Sequence, residues 1–486
     1  MRNCDKLLEE YIILHKNWGY INMTFPILNP SGEQNKSFTN NSTGIYSIIE
    51  EEIIKVYIDV LKNNSGFPED FFNNSNEGLE RAGICFKYLC EVVMEIPEDL
   101  IPKEFLSING VDILTTFKLN VLVPDVFRTI FDLLYTVYPD LLGPAYFMEN
   151  VDLKDGWKVK ERYVAPSRHH SGGYFSVGYL AEAANGSKGF LKAIDYNWAF
   201  KSSDPSRELQ RATSAYNFER DVLEICKSAR LNRVVKSITY GSYRLRGNVI
   251  PVDYLIFELA DGDVRDYLDY SDKLNYNWAV RCLHHVSVGL NQLHSNGLAH
   301  QDLKPSNVLI FGGRDSKIGD LGRSVRRGVT SPHETYTIAG DQNYAPPELL
   351  YEEVSSDWSK YRIGCDAYML GSLTMFIFSQ IHMTAALKGH MNPEHWHDKW
   401  GGSFIEVLPY IREAFNIIMS KFEAALPTVL RSSIGPIVRE LCEPDPVRRA
   451  TLKGEPRTGS YYSLQRYVSK FNEIATKLDL GIWRID

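Results

Sequence analysis

The chain has 486 residues and a formal charge of −8, and its 44% hydrophobic, 12% aromatic and 23% charged residues are typical of a globular protein. This length predicts two or three domains and excludes a single small binding module, while the composition excludes a disordered chain, a collagen-like chain and a disulfide scaffold. Because long apolar runs are missing and the first residues are too acidic for a signal peptide, we expect no membrane segment and a cytoplasmic location.

The acidic surplus lies in the N-terminal third of the chain. Residues 1–150 contain 22 acidic and 11 basic residues, whereas residues 151–486 contain 39 acidic and 42 basic residues. Phosphate backbones attract Lys and Arg, so this charge argues against nucleic acid as a partner. Apolar residues at helical spacing predict three helices in this part, over 45–60, over 79–94 and from Pro124 onward. We therefore predict that residues 1–150 form an acidic, mainly helical domain, whose role the residues do not identify.

After the turn-forming and polar stretch at residues 138–160, short strands replace helical periodicity. Strand-like and helical runs then follow one another: strands at 174–183, 190–194, 234–240 and 253–259, and helices at 207–229 and from Trp278. The turn sequence at 185–189 predicts a hairpin between the first two strands. This order predicts an α+β architecture, in which a small sheet lobe is stacked on a larger helical lobe and a ligand binds in the cleft.

The run His300–Ile310 carries the most specific chemistry. It reads His-Gln-Asp-Leu-Lys-Pro-Ser-Asn-Val-Leu-Ile, and Asp320-Leu321-Gly322 follows it. Phosphoryl transfer from ATP needs a carboxylate that orients the attacking hydroxyl, oxygen ligands for Mg²⁺ and positive charge over the moving phosphate. The run supplies all of these groups: Asp302 as the carboxylate, Lys304 as the cation, and Asn307 and Asp320 as Mg²⁺ ligands.

These residues resemble the eukaryotic-like protein kinase family, whose catalytic loop reads His-Arg-Asp-Leu-Lys-x-x-x-Asn and whose metal motif reads Asp-Phe-Gly. The resemblance covers about residues 160–460 and implies a two-lobed protein kinase fold that uses ATP and Mg²⁺. In this family a lysine at the position of Lys304 accompanies Ser/Thr kinases, which implies protein substrates phosphorylated on Ser or Thr. We expect the kinase domain over 151–460, with the N-lobe at 158–259, the C-lobe at 264–460 and a tail at 461–486.

The resemblance also assigns a nucleotide pocket. Lys192 looks like the family's lysine on the α- and β-phosphates, and its partner in the family is a glutamate on the long N-lobe helix. We expect Glu219 in that role, with Glu224 as the alternative, because Leu223 would then face the core. Residues 256–262 resemble the hinge between the lobes. The further nucleotide-binding residues implied are Phe257 as gatekeeper, and Glu258, Ala260 and Leu309.

Landmarks of the larger lobe follow in the family's order. Ala345-Pro346-Pro347-Glu348 resembles the Ala-Pro-Glu motif, and Asp366 resembles the start of the long buried helix. The resemblance implies a structural ion pair between Glu348 and Arg449.

The sequence departs from the family pattern in its glycine loop and its metal motif. Gly172 and Gly173 precede Lys192 at a suitable distance, but Ser176 stands where the third glycine belongs. We expect Gly172 and Gly173 to contact phosphate nonetheless. Leu321 replaces the phenylalanine of the metal motif with a similar apolar side chain.

Two further departures surround the catalytic aspartate. Gln301 replaces the arginine that grips an activation-loop phosphate in the family, so we expect activity that does not depend on loop phosphorylation. Autophosphorylation remains an expectation at four hydroxyls of the loop: Thr330, Ser331, Thr335 and Thr337. Asp341 stands where the family has a threonine and would bring a second carboxylate close to Asp302. Joint ionisation of the two needs a cation between them, so we predict a contact between Asp341 and Lys304.

Three functions are consistent with these motifs. The first is an active Ser/Thr protein kinase, with all the catalytic groups present. The second is a catalytically weak pseudokinase or ATP-binding scaffold, which Asp341 and the degenerate glycine loop favour. The third is a small-molecule kinase of the same fold, against which Lys304 and Glu348 argue. The oligomeric state cannot be predicted from these residues.

Overall fold

The computed structural model describes residues 143–163, 176–200, 202–246, 248–269, 274–334, 336–449 and 463–484. The three helices predicted before residue 143 lie outside these ranges, as do Gly172, Gly173 and Thr335.

A five-stranded antiparallel sheet forms the smaller lobe, in the order β1-β2-β3-β5-β4. Its strands are β1 Trp157–Arg162, β2 Ser176–Ala183, β3 Lys188–Ile194, β4 Ser237–Tyr243 and β5 Val252–Glu258. The predicted hairpin is confirmed, because β2 pairs with β3 in antiparallel register and places Gly178 opposite Lys192. Alternate residues of β2 and β3 are buried, as expected for a pleated sheet with one covered face.

The polar stretch 149–160 is part of this sheet lobe. Its residues alternate, so that Trp157 and Val159 of β1 are buried while the charged residues between them stay accessible. The segment 143–156 precedes β1 and packs on the same core through Met148 and Leu153. The period of two was hidden in the sequence because four of the six residues of the strand are charged.

Helices form most of the remaining described chain. In chain order they are α1 Asn197–Phe200, α2 Pro205–Ser228, α3 Val264–Asp269, α4 Tyr276–Ser295, α5 Pro347–Leu350, α6 Gly364–Ser379, α7 Met383–His390, α8 Phe404–Ala425, α9 Thr428–Leu441 and α10 Gln465–Asp479. Short strands complete the larger lobe: β6 Gly262–Asp263, β7 Leu298–Ala299, β8 Val308–Phe311, β9 Asp315–Ile318 and β10 Val325–Arg326.

The helix predicted at 207–229 is α2, which begins at Pro205 because Asp204 caps it and proline suits the first helical position. The helix predicted from Trp278 is α4, which begins two residues earlier, where Asn275 accepts a hydrogen bond from Trp278 N. Both predictions are confirmed within a turn, because capping residues mark the starts of these helices.

Helix α6 lies at the centre of the larger lobe, where nearly every one of its residues is buried. Helices α4, α8 and α9 contribute apolar faces to the same core. The predicted α+β, two-lobed kinase fold is therefore confirmed. Within the described ranges no individual helix has the length and apolarity of a membrane span, although the bent pair Ser359–Ser379 and Met383–His390 meets both criteria when combined.

Candidate active site

A lysine and two carboxylates meet between the sheet and the larger lobe. Lys192 on β3 donates to Glu219 Oε1 at 3.0 Å and Oε2 at 3.1 Å, and its Nζ lies 3.3 Å from Asp320 Oδ1. Helix α2 buries Glu219, whose side chain is only 6% exposed. The predicted ion pair between Lys192 and Glu219 is present. The alternative residue Glu224 points elsewhere on the same helix and contacts Lys227 at 3.9 Å.

The charges in this cluster depend on one another. Burial opposes the charge of Lys192, but Asp320 and Glu219 outweigh it and raise the pKa of the ammonium above its usual value. Lys192 in turn lowers the pKa of Asp320 to about 2. Burial raises the pKa of Glu219, and the adjacent ammonium counteracts the rise. A permanently charged lysine and an ionised Asp320 are therefore available to phosphate and to a cation.

The catalytic loop surrounds Asp302 with donors. Asn307 Nδ2 donates to Asp302 O at 2.7 Å and to Oδ2 at 3.0 Å, and Asp341 N donates to Oδ1 at 2.8 Å. Lys304 Nζ lies 3.2 Å from Asp302 Oδ2. Burial raises the pKa of Asp302 above its ordinary value, and the charge of Lys304 works against that rise. The carboxylate is thus held in one orientation before any substrate arrives.

The predicted contact between Asp341 and Lys304 is confirmed, since Lys304 Nζ lies 3.4 Å from Asp341 Oδ2. The ammonium therefore stands between the two carboxylates and relieves their mutual repulsion. Gly340 makes the close approach of the two loops possible, because a Cβ at that position would lie 2.2 Å from the carbonyl oxygen of Gln301. The Asp341 side chain also accepts from Asn343 N at 3.0 Å and so starts the short turn Gln342–Tyr344.

Asp366, at the start of the buried helix α6, holds the catalytic loop from below. It accepts from His300 N at 2.8 Å and from Gln301 N at 2.8 Å, and His294 Nε2 lies 2.8 Å from its Oδ2. Gln301 has a φ of +67°, a left-handed conformation that costs energy for a residue with a side chain. The bonds to Asp366 hold this strained backbone in place next to Asp302.

Gln301 is fully engaged where the family has an arginine. Its Nε2 donates to Arg362 O at 2.8 Å and to Asp366 Oδ1 at 2.9 Å, while its Oε1 accepts from Arg362 Nη1 at 3.2 Å. Arg362 is 3% exposed. It was not anticipated from the sequence, since no motif includes it and 61 residues separate it from its partner.

The hinge residues lie where β5 ends. Glu258 closes this strand, and its carboxylate pairs with Lys317 on β9 at 2.7 Å and accepts from Lys236 N at 2.7 Å, so its side chain is occupied. Leu309 on β8 lies beneath Gly319, the residue before Asp320. Lys317 is a second residue that the motifs did not indicate.

Asn307 and Asp320 carry the donor atoms expected of Mg²⁺ ligands. Asn307 commits its Nδ2 to Asp302, which leaves its amide oxygen, among the described residues, with only a long 3.4 Å contact from Ser306. The Asp320 side chain is 49% exposed and ionised. One amide oxygen and one carboxylate are hard ligands that Mg²⁺ prefers, and they leave the remaining positions to water and phosphate oxygens. These residues therefore fit a bound Mg²⁺.

The hydroxyls of the activation loop differ in accessibility. Thr330 is exposed and Thr337 is half-buried. Ser331 is 4% exposed and its Oγ donates to Ser324 O at 3.4 Å, so this conformation does not present it to another active site. Thr335 lies outside the described residues.

The end of the loop is anchored by the predicted ion pair. Arg449 Nη1 donates to Glu348 Oε1 at 2.6 Å and Nη2 donates to Glu348 Oε2 at 2.7 Å. Both side chains are buried, with Arg449 0% exposed. Arg449 Nε donates to Glu443 O at 2.9 Å, which satisfies a further buried donor.

Two families match different parts of the chain. Residues 183–455 match the family described as Protein kinase domain. Residues 53–142 match the family described as Protein of unknown function (DUF4046).

Curated relatives are kinases that resemble parts of this chain. The Drosophila melanogaster protein "Serine/threonine-protein kinase fused" is 33% identical over 141 residues, 28% of this chain and 17% of that protein. "Mitogen-activated protein kinase 5" of Arabidopsis thaliana is 26% identical over 218 residues, 41% of this chain and 54% of that protein. Human "Hormonally up-regulated neu tumor-associated kinase" is 25% identical over 311 residues, 62% of this chain and 37% of that protein.

The chain thus spans at most about half the length of these relatives. The catalytic geometry described above lies within residues 183–455, which are more than half of the 486-residue chain. The chain therefore belongs to the protein kinase domain family.

Proposed function

We propose that this protein transfers the γ-phosphate of ATP to serine or threonine hydroxyls of protein substrates. The observation that carries the proposal is the simultaneous contact of Lys192 with Glu219 and Asp320, because it places a fixed cation beside the metal-binding carboxylate. In the same structure the Asp302 carboxylate accepts hydrogen bonds from Asn307 Nδ2 and from the backbone N of Asp341. A preorganised set of charges is what phosphoryl transfer requires.

In the proposed reaction Asp302 accepts a hydrogen bond from the substrate hydroxyl and receives its proton as the oxygen attacks the γ-phosphorus. The bond between that phosphorus and the bridging oxygen of ADP breaks, and ADP leaves with the electron pair. Lys304, 3.2 Å from Asp302, is placed to stabilise charge on the transferred group. Lys192 holds the α- and β-phosphates. Mg²⁺ bound by Asn307 and Asp320 would neutralise phosphate charge.

The choice of serine and threonine rests on Lys304 and on the names of relatives, among them "Serine/threonine-protein kinase fused". Gly172 and Gly173 are proposed to cover the phosphates, and Glu258, Ala260 and Leu309 to receive the adenine.

The test is incubation with radiolabelled ATP and Mg²⁺ plus a mixture of generic proteins, followed by phosphoamino acid analysis. We expect label on serine or threonine, and at least about a hundredfold loss in Asp302→Ala and in Asp320→Ala. Glu224→Gln is the matched control, since Glu224 lies on the same helix as Glu219 but contacts only Lys227 among the charged partners described. Transfer that persists in both aspartate variants would overturn the mechanism.

The alternative is an ATP-binding scaffold with little or no transfer. Asp341 favours it, because this carboxylate shares Lys304 with Asp302 and adds negative charge where the γ-phosphate must sit. Retained nucleotide binding without transfer in the wild-type protein would support the scaffold over the enzyme.

A further inference from the structure

The activation segment, residues 320–348, contacts both lobes through neutral and cationic side chains that the motifs do not explain. In the family a phosphate on this segment is gripped by the arginine that precedes the catalytic aspartate. Gln301 stands there, and its amide is fully used by Arg362 and Asp366. A different arrangement must therefore order the segment if the proposed function holds.

The first attachment of the activation segment starts from the buried contact between Gln301 and Arg362. The guanidinium of Arg362, which binds Gln301, lies 3.8 Å from the ring centroid of Tyr361. The hydroxyl of Tyr361 donates to Thr337 O at 2.6 Å. The catalytic loop is thereby connected to the backbone of the activation segment without any phosphate.

The second attachment joins the activation segment to helix α2. Arg211 Nη1 donates to the hydroxyl oxygen of Tyr336 at 2.7 Å. The same guanidinium lies 5.9 Å from the ring centroids of both Trp198 and Tyr336, so aromatic rings surround it. Arg211 precedes Glu219 on α2 by about two turns, and Glu219 carries the contact with Lys192.

These two attachments form one connected path. It runs from Gln301 beside Asp302, through Tyr361 and the backbone at Thr337, to Tyr336 and into α2. His333, which stacks at 6.5 Å from the Tyr336 ring, is kept neutral because burial and the nearby Arg323 lower its pKa to about 4. Each hydrogen bond on this path joins two groups of the protein itself.

We propose that Tyr336 is a positioning residue whose hydroxyl, bound by Arg211, holds the activation segment against α2 in the unphosphorylated protein. This proposal rests on the proposed kinase function and deepens it by naming the contact that replaces loop phosphorylation. The contact between Tyr336 and Arg211 acts on the activation segment and on α2, not on the transferred phosphate.

The test uses the full chain after treatment with a phosphatase that is then removed. We expect Tyr336→Phe to lower kcat/KM for a protein substrate about three- to tenfold, since it removes one partly exposed hydrogen bond from a charged donor. The KM for ATP stays unchanged, because Lys192 keeps its partners. Arg211→Ala lowers it at least as much, because it also removes the ring contacts with Trp198 and Tyr336 and the ion pair with Glu208. The double variant is no worse than Arg211→Ala, because that substitution already removes the bond to Tyr336.

Tyr240→Phe is the matched control. Tyr240 is also exposed and also has an arginine of α2 over its ring, Arg220 at 5.6 Å, but it lies on β4 and not on the activation segment. This variant keeps wild-type kinetics.

Amide hydrogen exchange over residues 331–344 separates the two proposals. We expect faster exchange there in Tyr336→Phe and wild-type exchange in Tyr240→Phe, whether or not the protein transfers phosphate. If wild-type protein transfers no more label than Asp302→Ala, the proposed function fails, and the exchange result alone then decides on the contact. Wild-type exchange in Tyr336→Phe, or loss of transfer after dephosphorylation of the wild-type protein, overturns the positioning role.

Discussion

Asp302 is a carboxylate whose environment is set by three residues from two parts of the chain. Asn307 follows it in the same loop, Lys304 lies between them, and Asp341 N approaches from the end of the activation segment. Burial raises its pKa, which makes it a better proton acceptor near neutral pH than an exposed aspartate. Asp320 has the opposite shift, because Lys192 lowers its pKa to about 2. In the proposed reaction the two aspartates therefore have separate roles, one receiving a proton and the other remaining charged.

These opposite shifts predict the pH dependence of the proposed activity. Asp302 must be ionised to accept the proton, so kcat/KM is lost as pH falls through its raised pKa, and the inflection lies above the ordinary value for aspartate. Asp320 stays ionised throughout that range. In Lys304→Met the acid inflection moves to higher pH, because the lysine that opposes the rise has gone. A pH profile of kcat/KM for both proteins checks this, and an inflection that stays in place or moves to lower pH contradicts the assignment.

At the scale of elements, the end of the activation segment is tied to the chain that follows α9. Glu348 lies in α5 and Arg449 lies beyond α9, so their bidentate pair joins two elements 101 residues apart. Because an ion taken out of water needs a counterion, each of these two buried charges depends on the other.

We predict that Glu348→Gln lowers the free energy of unfolding by about 3–5 kcal/mol, because Arg449 is then a buried charge without its counterion. Urea denaturation of the variant and the wild-type protein measures this. Glu423→Gln is the matched control, since Glu423 also forms a bidentate pair, with Arg439 between α8 and α9, but both side chains are partly exposed. Its cost is about 1 kcal/mol or less. Equal costs for the two variants would refute the role of burial.

At the scale of the whole molecule, the sheet lobe extends beyond the part that matches the kinase family. The family match begins at residue 183, whereas the described fold begins at Gly143. The hydroxyl of Tyr179 on β2 donates to Ala145 O at 2.8 Å, and Met148 and Leu153 are buried with it in one core. The segment 143–156 is therefore a structural part of the sheet lobe.

Met148→Ala tests this extension in the full chain. Because Met148 is fully buried, we expect a loss of about 2–5 kcal/mol in unfolding free energy, from lost burial and the cavity left behind. Phe147→Ala is the matched control at the adjacent position, where the side chain is 41% exposed, and it costs much less. Denaturation curves followed by tryptophan fluorescence compare the two. Similar small losses in both variants would mean that the segment does not support the sheet.

Local patterns in the sequence were sufficient to predict several secondary-structure elements and part of the candidate site. The hairpin, α2 and α4 follow from turn residues, caps and apolar spacing, all of which act within a few residues. The run His300–Ile310 could be identified as a candidate catalytic loop because the groups that phosphoryl transfer needs are close together in the chain. The contact of Asp341 with Lys304 followed from charge, since two nearby carboxylates need a cation between them.

Only the tertiary structure decided which distant side chains meet. Arg362 under Gln301, Lys317 against Glu258 and Arg211 on Tyr336 join residues 61, 59 and 125 positions apart, and no local pattern marks such pairs. The strand β1 was hidden because four of its six residues are accessible to solvent and carry charge. Hydrogen bonds and burial between remote segments depend on how the whole chain packs, and for that reason composition and spacing alone do not reveal them.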